Sequence, residues 1–333
     1  MGDAKSELIE EEKIAANHPI VYESLLPLLR TKPTDLDAYL ASVISDVQVE
    51  KTKTKAHCHF IALDGNKRPR VKDFARFLGT KIIDYAIPRA EINRALNDAV
   101  ESGSTAPVVK INQKAKSLFV RSPKSGEGGE VLLSVMAESL LQLPQLFTKM
   151  VLKTSTEMHV HGSDAIHVGV NKANGNLALY WGESKIKKNV KKAIKDCFES
   201  LSPYLLSPGG SKSVQERDLQ LMRDGIEFED IHLTNALKRY LDPDDSMFKQ
   251  LEYRGLCLVG FDSETYPTSP NSKEAKQLKN EVEEEFNANI SSVRDQVIKQ
   301  KIHSFDIHIF CLPFPSVDDF RDAFRSELGL KGE

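Results

Sequence analysis

Asp164, Glu183 and Lys185 are the residues of this 333-residue chain whose types and spacing could do chemistry together. They lie in the stretch HGSDAIHVGVNKANGNLALYWGESK, which runs from His161 to Lys185. Two carboxylates supply hard oxygen ligands of the kind Mg²⁺ or Mn²⁺ takes, and such an ion keeps several waters and can bridge to a phosphate oxygen. An ammonium beside them can stabilise an attacking hydroxide or the charge that builds on phosphorus. Eighteen residues separate Asp164 from Glu183, so only the fold can bring them together.

The device is a β-hairpin. Asn174-Gly175 stands between two runs of strand-formers, the strongest short-range signal for a two-residue turn. A turn centred there sets Ala173 against Asn176, His167 against Gly182 and Asp164 against Lys185. Opposed residues share a sheet face, as do residues two apart along a strand, so Asp164, Glu183 and Lys185 point the same way. Ile166, Val168, Val170, Leu179 and Trp181 continue that face, which puts the charges at the rim of an apolar surface. A loop longer by one residue, without a compensating bulge, turns Asp164 to the other side. The plainer alternative is a surface hairpin with a cross-strand Asp164/Lys185 ion pair, worth roughly 0.2–1 kcal/mol. Gly162, Gly182 and the helix that follows favour the functional reading. His167 alternates to the opposite face, where packing is its expected role.

Other candidates carry less. His57-Cys58-His59 puts two imidazoles on one strand face, but no further soft ligands lie near in sequence, so these read as ordinary strand histidines. His159-x-His161-x-x-Asp164 is reminiscent of metal-binding His-x-His motifs, yet the later ligands of those sets are not recognisable. Lys187, Lys188 and Lys191 belong to the run IKKNVKKAIKDCFESL, an amphipathic helix with a strongly positive face. Such a face is usually solvated; beside a phosphodiester site it can follow a nucleic-acid backbone through salt-sensitive contacts.

The elements around the hairpin read as an α/β protein. Helices are expected over 35–45, 71–80, 90–101 and 129–143, with Pro144 stopping the last, and strands over 57–63, 82–87 and 150–155. Further on come helices near 213–223 and 231–240, a strand at 255–261, a long charged helix over 272–302, a strand at 305–314 and a final helix capped by Ser316. Small polar residues at 102–106 suggest a linker, dividing the chain into an α/β N-terminal region, 1–105, and a second unit, 106–333. Apolar residues make up 40% and charged ones 28%, the balance of a globular domain. No run nears the ~18 apolar residues of a membrane helix. The acidic start, MGDAKSELIEEEK, lacks the apolar core of a secretory signal, and its match to the myristoylation pattern reads as chance. Four scattered cysteines point to reduced thiols in a cytoplasm. A formal net charge of −3 is low for a chain that binds DNA tightly by itself.

Asp164 followed by Glu183-Ser184-Lys185 resembles the motif of the PD-(D/E)XK phosphodiesterase superfamily, with Ser163 where a proline often stands. That resemblance implies a restriction-endonuclease-like core, a mixed sheet flanked by helices, and a metal-binding Glu on the helix before it, for which Glu130 is the best match over Glu127 and Glu138. Taken alone, Glu130 in a first helical turn is explained by the helix dipole, at roughly 0.3–1 kcal/mol. Together with GSDAIHV, YWGESK and CHFIALDGNKRPRVKDFARFLGTKIIDYAIPR, the chain resembles the HamA nuclease subunits of bacterial Hachiman anti-phage systems. This implies a bacterial cytoplasmic DNA nuclease with Mg²⁺ or Mn²⁺ on Asp164, Glu183 and Glu130, restrained until a partner helicase, HamB, engages DNA. A free-standing restriction or repair nuclease and a non-catalytic interaction subunit are the alternatives; an intact Asp164, Glu183 and Lys185 set argues against the last.

Overall fold

The most apolar runs of the chain, LALYW, LCLVGF and IFCLPF, form its interior strands, as expected of strands covered on both faces. The computed structural model describes residues 20, 22–119, 126–152, 162–206 and 214–330. Seven strands make one mixed sheet: β1 (Leu40–Gln48), β2 (Thr54–Ile61), β3 (Gln145–Thr148), β4 (Ala165–Val170), β5 (Leu177–Ile186), β6 (Leu251–Asp262) and β7 (Ile307–Phe314), in the order β1-β2-β7-β6-β5-β4-β3. Strands β2, β7, β6 and β5 are parallel; β1 at one edge and β4 and β3 at the other run antiparallel to their neighbours. The expected 105/106 boundary falls at the start of a helix, and the sheet is shared by both sides of it, because β2 pairs with β7.

After a single α-helical turn at Tyr22–Leu25, the helices in chain order are α1 (Val71–Thr80), α2 (Ile82–Ala86), α3 (Arg89–Ser102), α4 (Ala106–Ser117), α5 (Glu127–Leu141), α6 (Val190–Leu206), α7 (Val214–Gly225), α8 (Ile231–Tyr240), α9 (Ala275–Lys299) and α10 (Val317–Glu327). The charged helix α9 buries Leu278, Val282, Phe286, Val293 and Val297, one stripe at helical spacing, and packs on β1, β2 and α6. Ser316 caps α10 as expected, its Oγ accepting the Asp319 N–H at 3.1 Å.

Three expected elements differ. Residues 35–45 do not form a helix: the chain turns at 33–39 and enters β1, whose ladder to β2 is broken twice by register shifts. Val43, Ile44 and Val47 suit that pleated edge, and the apolar spacing that mimicked a helix serves instead to lay Tyr39 on Phe77, rings 4.6 Å apart. Residues 82–87 form α2 rather than a strand. Its buried residues are Ile82, Tyr85 and Ala86, which is i, i+3, i+4 spacing. The strand expected at 150–155 comes earlier, as β3 directly after Pro144, and Met150 sits in a 3-10 turn, Lys149–Leu152. Residues 153–155, and His159 and His161, lie outside the described residues.

The hairpin register differs by two residues from the one expected, an even number. Asn171 and Asn176 close the loop, with the Asn171 N–H on the Asn176 carbonyl at 2.8 Å, so Ala165 faces Gly182 and Ile166 faces Trp181. Gly175 takes φ 76°, where a side chain would be strained. Even parity keeps the faces of the two strands as expected, and Asp164, just before the ladder, meets Gly182 and Ser184 of β5 instead of Lys185. The side-chain amides of Asn171, Asn174 and Asn176 all donate to the Glu252 carboxylate on β6 at 2.8–3.1 Å. Burial pushes that carboxyl up, but these bonds and Arg254 hold it down, at about 2.

Helix α5 is apolar around most of its surface and packs across β5, β4 and β6. The approach is close: a Cβ on Gly129 would lie 2.4 Å from Ser184 Oγ and 2.9 Å from Ile186 Cδ1. Gly129→Ala should therefore cost about 1–3 kcal/mol of stability, read as a lower denaturant midpoint at unchanged m-value. A midpoint equal to the parent's would show that the helix can retreat freely.

Candidate active site

Asp164 is the last residue before β4, and its backbone is held from both directions: the N–H donates to the Gly182 carbonyl at 3.1 Å and the carbonyl accepts from Tyr85 Oη at 2.9 Å. Its carboxylate accepts the Ser184 N–H at 2.9 Å on Oδ2 and Lys149 Nζ at 2.7 Å on Oδ1. Ser163 ties the same end of the hairpin, with Oγ 2.9 Å from the Gly182 carbonyl and accepting the Gly182 N–H at 3.1 Å.

Glu130, in the first turn of α5, reaches the same place from the helix. Its Oε1 is 3.2 Å from Lys149 Nζ and its Oε2 is 3.2 Å from Tyr85 Oη. Lys149 thus bridges Glu130 and Asp164. Glu183 on β5 pairs with Lys185, Nζ to Oε2 2.7 Å, while Glu183's own carbonyl is 3.3 Å from Cys197 Sγ on α6. Trp181, two residues earlier on that face, stacks on Tyr204 of α6 with rings 5.1 Å apart.

All five charged groups are mostly out of water: side-chain exposure is 7% for Glu183, 8% for Asp164, 10% for Glu130, 14% for Lys149 and 24% for Lys185. Burial, and then the charge of Asp164, pushes Glu183 up to about 8 and Glu130 up to about 7. Burial pulls both lysines down, but the surrounding carboxylates more than offset it, so Lys149 and Lys185 are held above the ordinary lysine value. Perturbed acids around fixed ammonium groups are what functional sites concentrate.

The fold therefore gathers Asp164, Glu183, Lys185 and Glu130 into one cluster. It does not bring Lys187, Lys188 and Lys191 to the acids: Lys187 pairs with Asp196, Lys188 with Asp318 at 2.6 Å, and Lys191 is exposed in the first turn of α6. Glu138, two turns along α5, is engaged elsewhere, accepting the Arg30 and Gln145 N–H groups at 2.9 and 3.1 Å. Glu127 is buried a turn before Glu130 and adds to the push on its carboxyl. Sequence reasoning missed Lys149, Tyr85 and Asp218. Asp218 on α7 accepts the Ser163 N–H at 3.2 Å, behind the hairpin end. His167 packs as expected, buried, with Nδ1 donating to the Leu143 carbonyl at 2.8 Å.

Three carboxylates are the right chemistry for a hard dication. While Lys149 stands between two of them they do not converge: among the described residues, the one group of three ligand-bearing side chains with all donor atoms within 4.8 Å is Asp46, His57 and His308. There the Asp46 N–H points at His57 Nδ1, 3.3 Å away, and His57 Nε2 is 2.9 Å from His308 Nδ1, so a hydrogen-bonded chain accounts for both imidazoles. His57 thus has partners that come from positions 46 and 308, far away in sequence.

Fold and site define an α/β protein with a buried carboxylate and lysine cluster at the rim of a mixed sheet. The sequence profile of the HamA family matches residues 37–328. The chain belongs to that family, whose members are components of Hachiman anti-phage systems. No relative is found among curated proteins. Among the described residues, no helix is long and apolar enough to cross a membrane.

Proposed function

We propose that the chain is a metal-dependent deoxyribonuclease of the PD-(D/E)XK kind, the effector of its anti-phage system, acting on DNA under the control of a partner helicase. The observation that carries this reading is the fastening of Asp164 to β5 beside Glu183, through Gly182 and Ser184, with Lys185 paired to Glu183 and Glu130 joined to Asp164 through Lys149. Glu130, Asp164 and Glu183 would hold Mg²⁺ or Mn²⁺, which supplies Lewis acidity and a water acidified for attack on phosphorus. Lys185, kept cationic by Glu183 and Asp164, is suited to hold the charge that builds on the phosphoryl oxygens and unsuited to act as a base. Lys149 holds Glu130 and Asp164 together through their shared ammonium, and it must release at least one of them before both face a dication. The low net charge fits a chain to which another protein brings the DNA.

The test is cleavage of plasmid and linear DNA with Mg²⁺ or Mn²⁺, comparing the parent with a Glu183→Ala/Lys185→Ala double variant, each with and without the co-encoded helicase. Cutting by the parent and none by the variant supports the site, and dependence on the helicase supports the control. Equal cutting by both refutes the site.

Metal binding should also depend on pH with a definite sign. Glu130 and Glu183 must lose their protons to take a dication, so Mn²⁺ affinity should climb between about pH 6 and pH 8 and level off above. The metal-free fold responds oppositely: both carboxyls bind protons more tightly folded than unfolded, so their contribution to stability is full at about pH 4.5 and is lost as pH rises through about 7 and 8. Mn²⁺ titrations and metal-free melts at matched pH read both. A Mn²⁺ affinity flat from pH 6 to pH 8 would remove these two acids from the ligand set.

A further inference from the structure

A cavity of about 320 Å³ opens on the outer side of β3, and its walls include Arg30, Arg89, Gln145, Phe147, Thr148 and Phe228. Thr148 is the residue before Lys149, so the cavity adjoins the acid cluster along the chain. Two guanidinium groups share it. Arg30 Nη1 is bonded to the carbonyls of Asp84 and Ile87, and Arg89 Nη2 to the carbonyl of Leu28. Among the described residues, neither has a carboxylate within ion-pair distance, and Arg89 Nε is buried with no hydrogen-bond partner. Three acids reach them by charge alone: Glu138 is engaged by the N–H groups of Arg30 and Gln145, Glu229 by Asn93 at 2.6 Å, and Asp84 has its carboxyl pushed up by burial. Burial and mutual repulsion pull Arg30 down to about 10. Helix α3 starts at Arg89, after Pro88, with no side chain capping it.

Two arginines in one cavity wall without a direct ion pair, one with an unspent N–H, suit an anion that takes several donors, and phosphate matches guanidinium forks best. Phe147 and Phe228 in the same walls offer apolar surface for a base. The volume is at the small end for ligand pockets and suits a single nucleotide unit, and the acidic Glu227, also in the wall, opposes a polyphosphate. We propose that this cavity is a nucleotide site in which Arg30 and Arg89 hold the phosphate. The nucleotide is either a free mononucleotide or the phosphorylated end of a DNA strand. The site stands on its own geometry and does not depend on the nuclease reading.

Isothermal titration of the full chain, in chloride buffer without divalent metal, tests it with four probes: dAMP, deoxyadenosine, and a short deoxyoligonucleotide with and without a 5′-phosphate. The expected result is binding of dAMP but not of deoxyadenosine, weakened at least tenfold in Arg89→Gln and unchanged in Glu183→Gln. If the phosphorylated oligonucleotide binds better than its unphosphorylated form, the strand end is the source; if dAMP alone binds, the free nucleotide is. The proposal is overturned if the phosphorylated probes bind no better than the unphosphorylated ones, or if Arg89→Gln binds dAMP as the parent does. Because Arg89 also holds the Leu28 carbonyl, Arg89→Gln removes a bond of the fold as well, and hydrogen exchange on the parent gives a second decision. dAMP should slow exchange at 87–90 and 145–148, and unchanged exchange there overturns the site.

Discussion

Asp164→Asn and Glu183→Gln should each lower metal-dependent DNA cleavage by roughly 10²–10³-fold or more, the scale on which a preorganised charged group at a reaction centre is felt. The two losses should differ in stability. Glu183 makes one ion pair, and its carboxyl is already pushed up by burial and by Asp164, so an amide there relieves that repulsion, keeps an oxygen for Lys185 to offset the lost pair, and the melting temperature should change little. Asp164 also accepts the Ser184 N–H and the Lys149 ammonium. Asp164→Asn keeps an oxygen for the N–H, whereas Asp164→Ala leaves it unpaired in a buried place, a cost of about 1–3 kcal/mol. Cleavage rates and melts of the three variants separate the catalytic loss from the structural one. Parent-like cutting by both amide variants would dismiss the acids as metal ligands.

Lys149→Met should have the second large effect, and in two directions. Without metal, Glu130 and Asp164 lose the ammonium between them, and breaking a buried pair from one side costs about 3–5 kcal/mol. With Mn²⁺, a dication takes the place of the lost charge without having to displace it, so affinity should rise at least tenfold and most of the lost stability should return. The parent gains far less from the metal, since its own cation already serves. Melts of both proteins with and without Mn²⁺ make the comparison. If Lys149→Met binds Mn²⁺ more weakly than the parent, the lysine supports the metal site and does not compete for it.

Much of this site was legible in the sequence because period-2 alternation is robust: any even change in loop length keeps the faces of β4 and β5 in step, and the loop was indeed two residues longer than expected. Glu130 was accessible only through family resemblance, since in spacing alone it is a helix-dipole residue. Lys149 and Tyr85 were not accessible. Lys149 lies in a 3-10 turn after a strand placed too late in the chain, and Tyr85 on a short helix whose apolar residues pass for a strand run. At five residues, the i, i+3, i+4 spacing of Ile82, Tyr85 and Ala86 is too brief to outweigh β-branched residues at 82 and 83. Similarly, the edge strand β1 carries two register shifts, and irregular pairing blurs the alternation that would have announced it.

The asparagine loop of the hairpin sets a rule for how this protein can vary. Asn171, Asn174 and Asn176 converge on Glu252, so the loop is anchored to a strand of the parallel interior and cannot absorb an added residue by swinging free. An added residue that is not taken up as a bulge must instead slide β4 past β5. Loop variants that keep the chemistry should therefore differ from this one by even numbers of residues, while odd insertions should fold with their acids facing the wrong helix layer. What is kept at this turn is its parity more than its length.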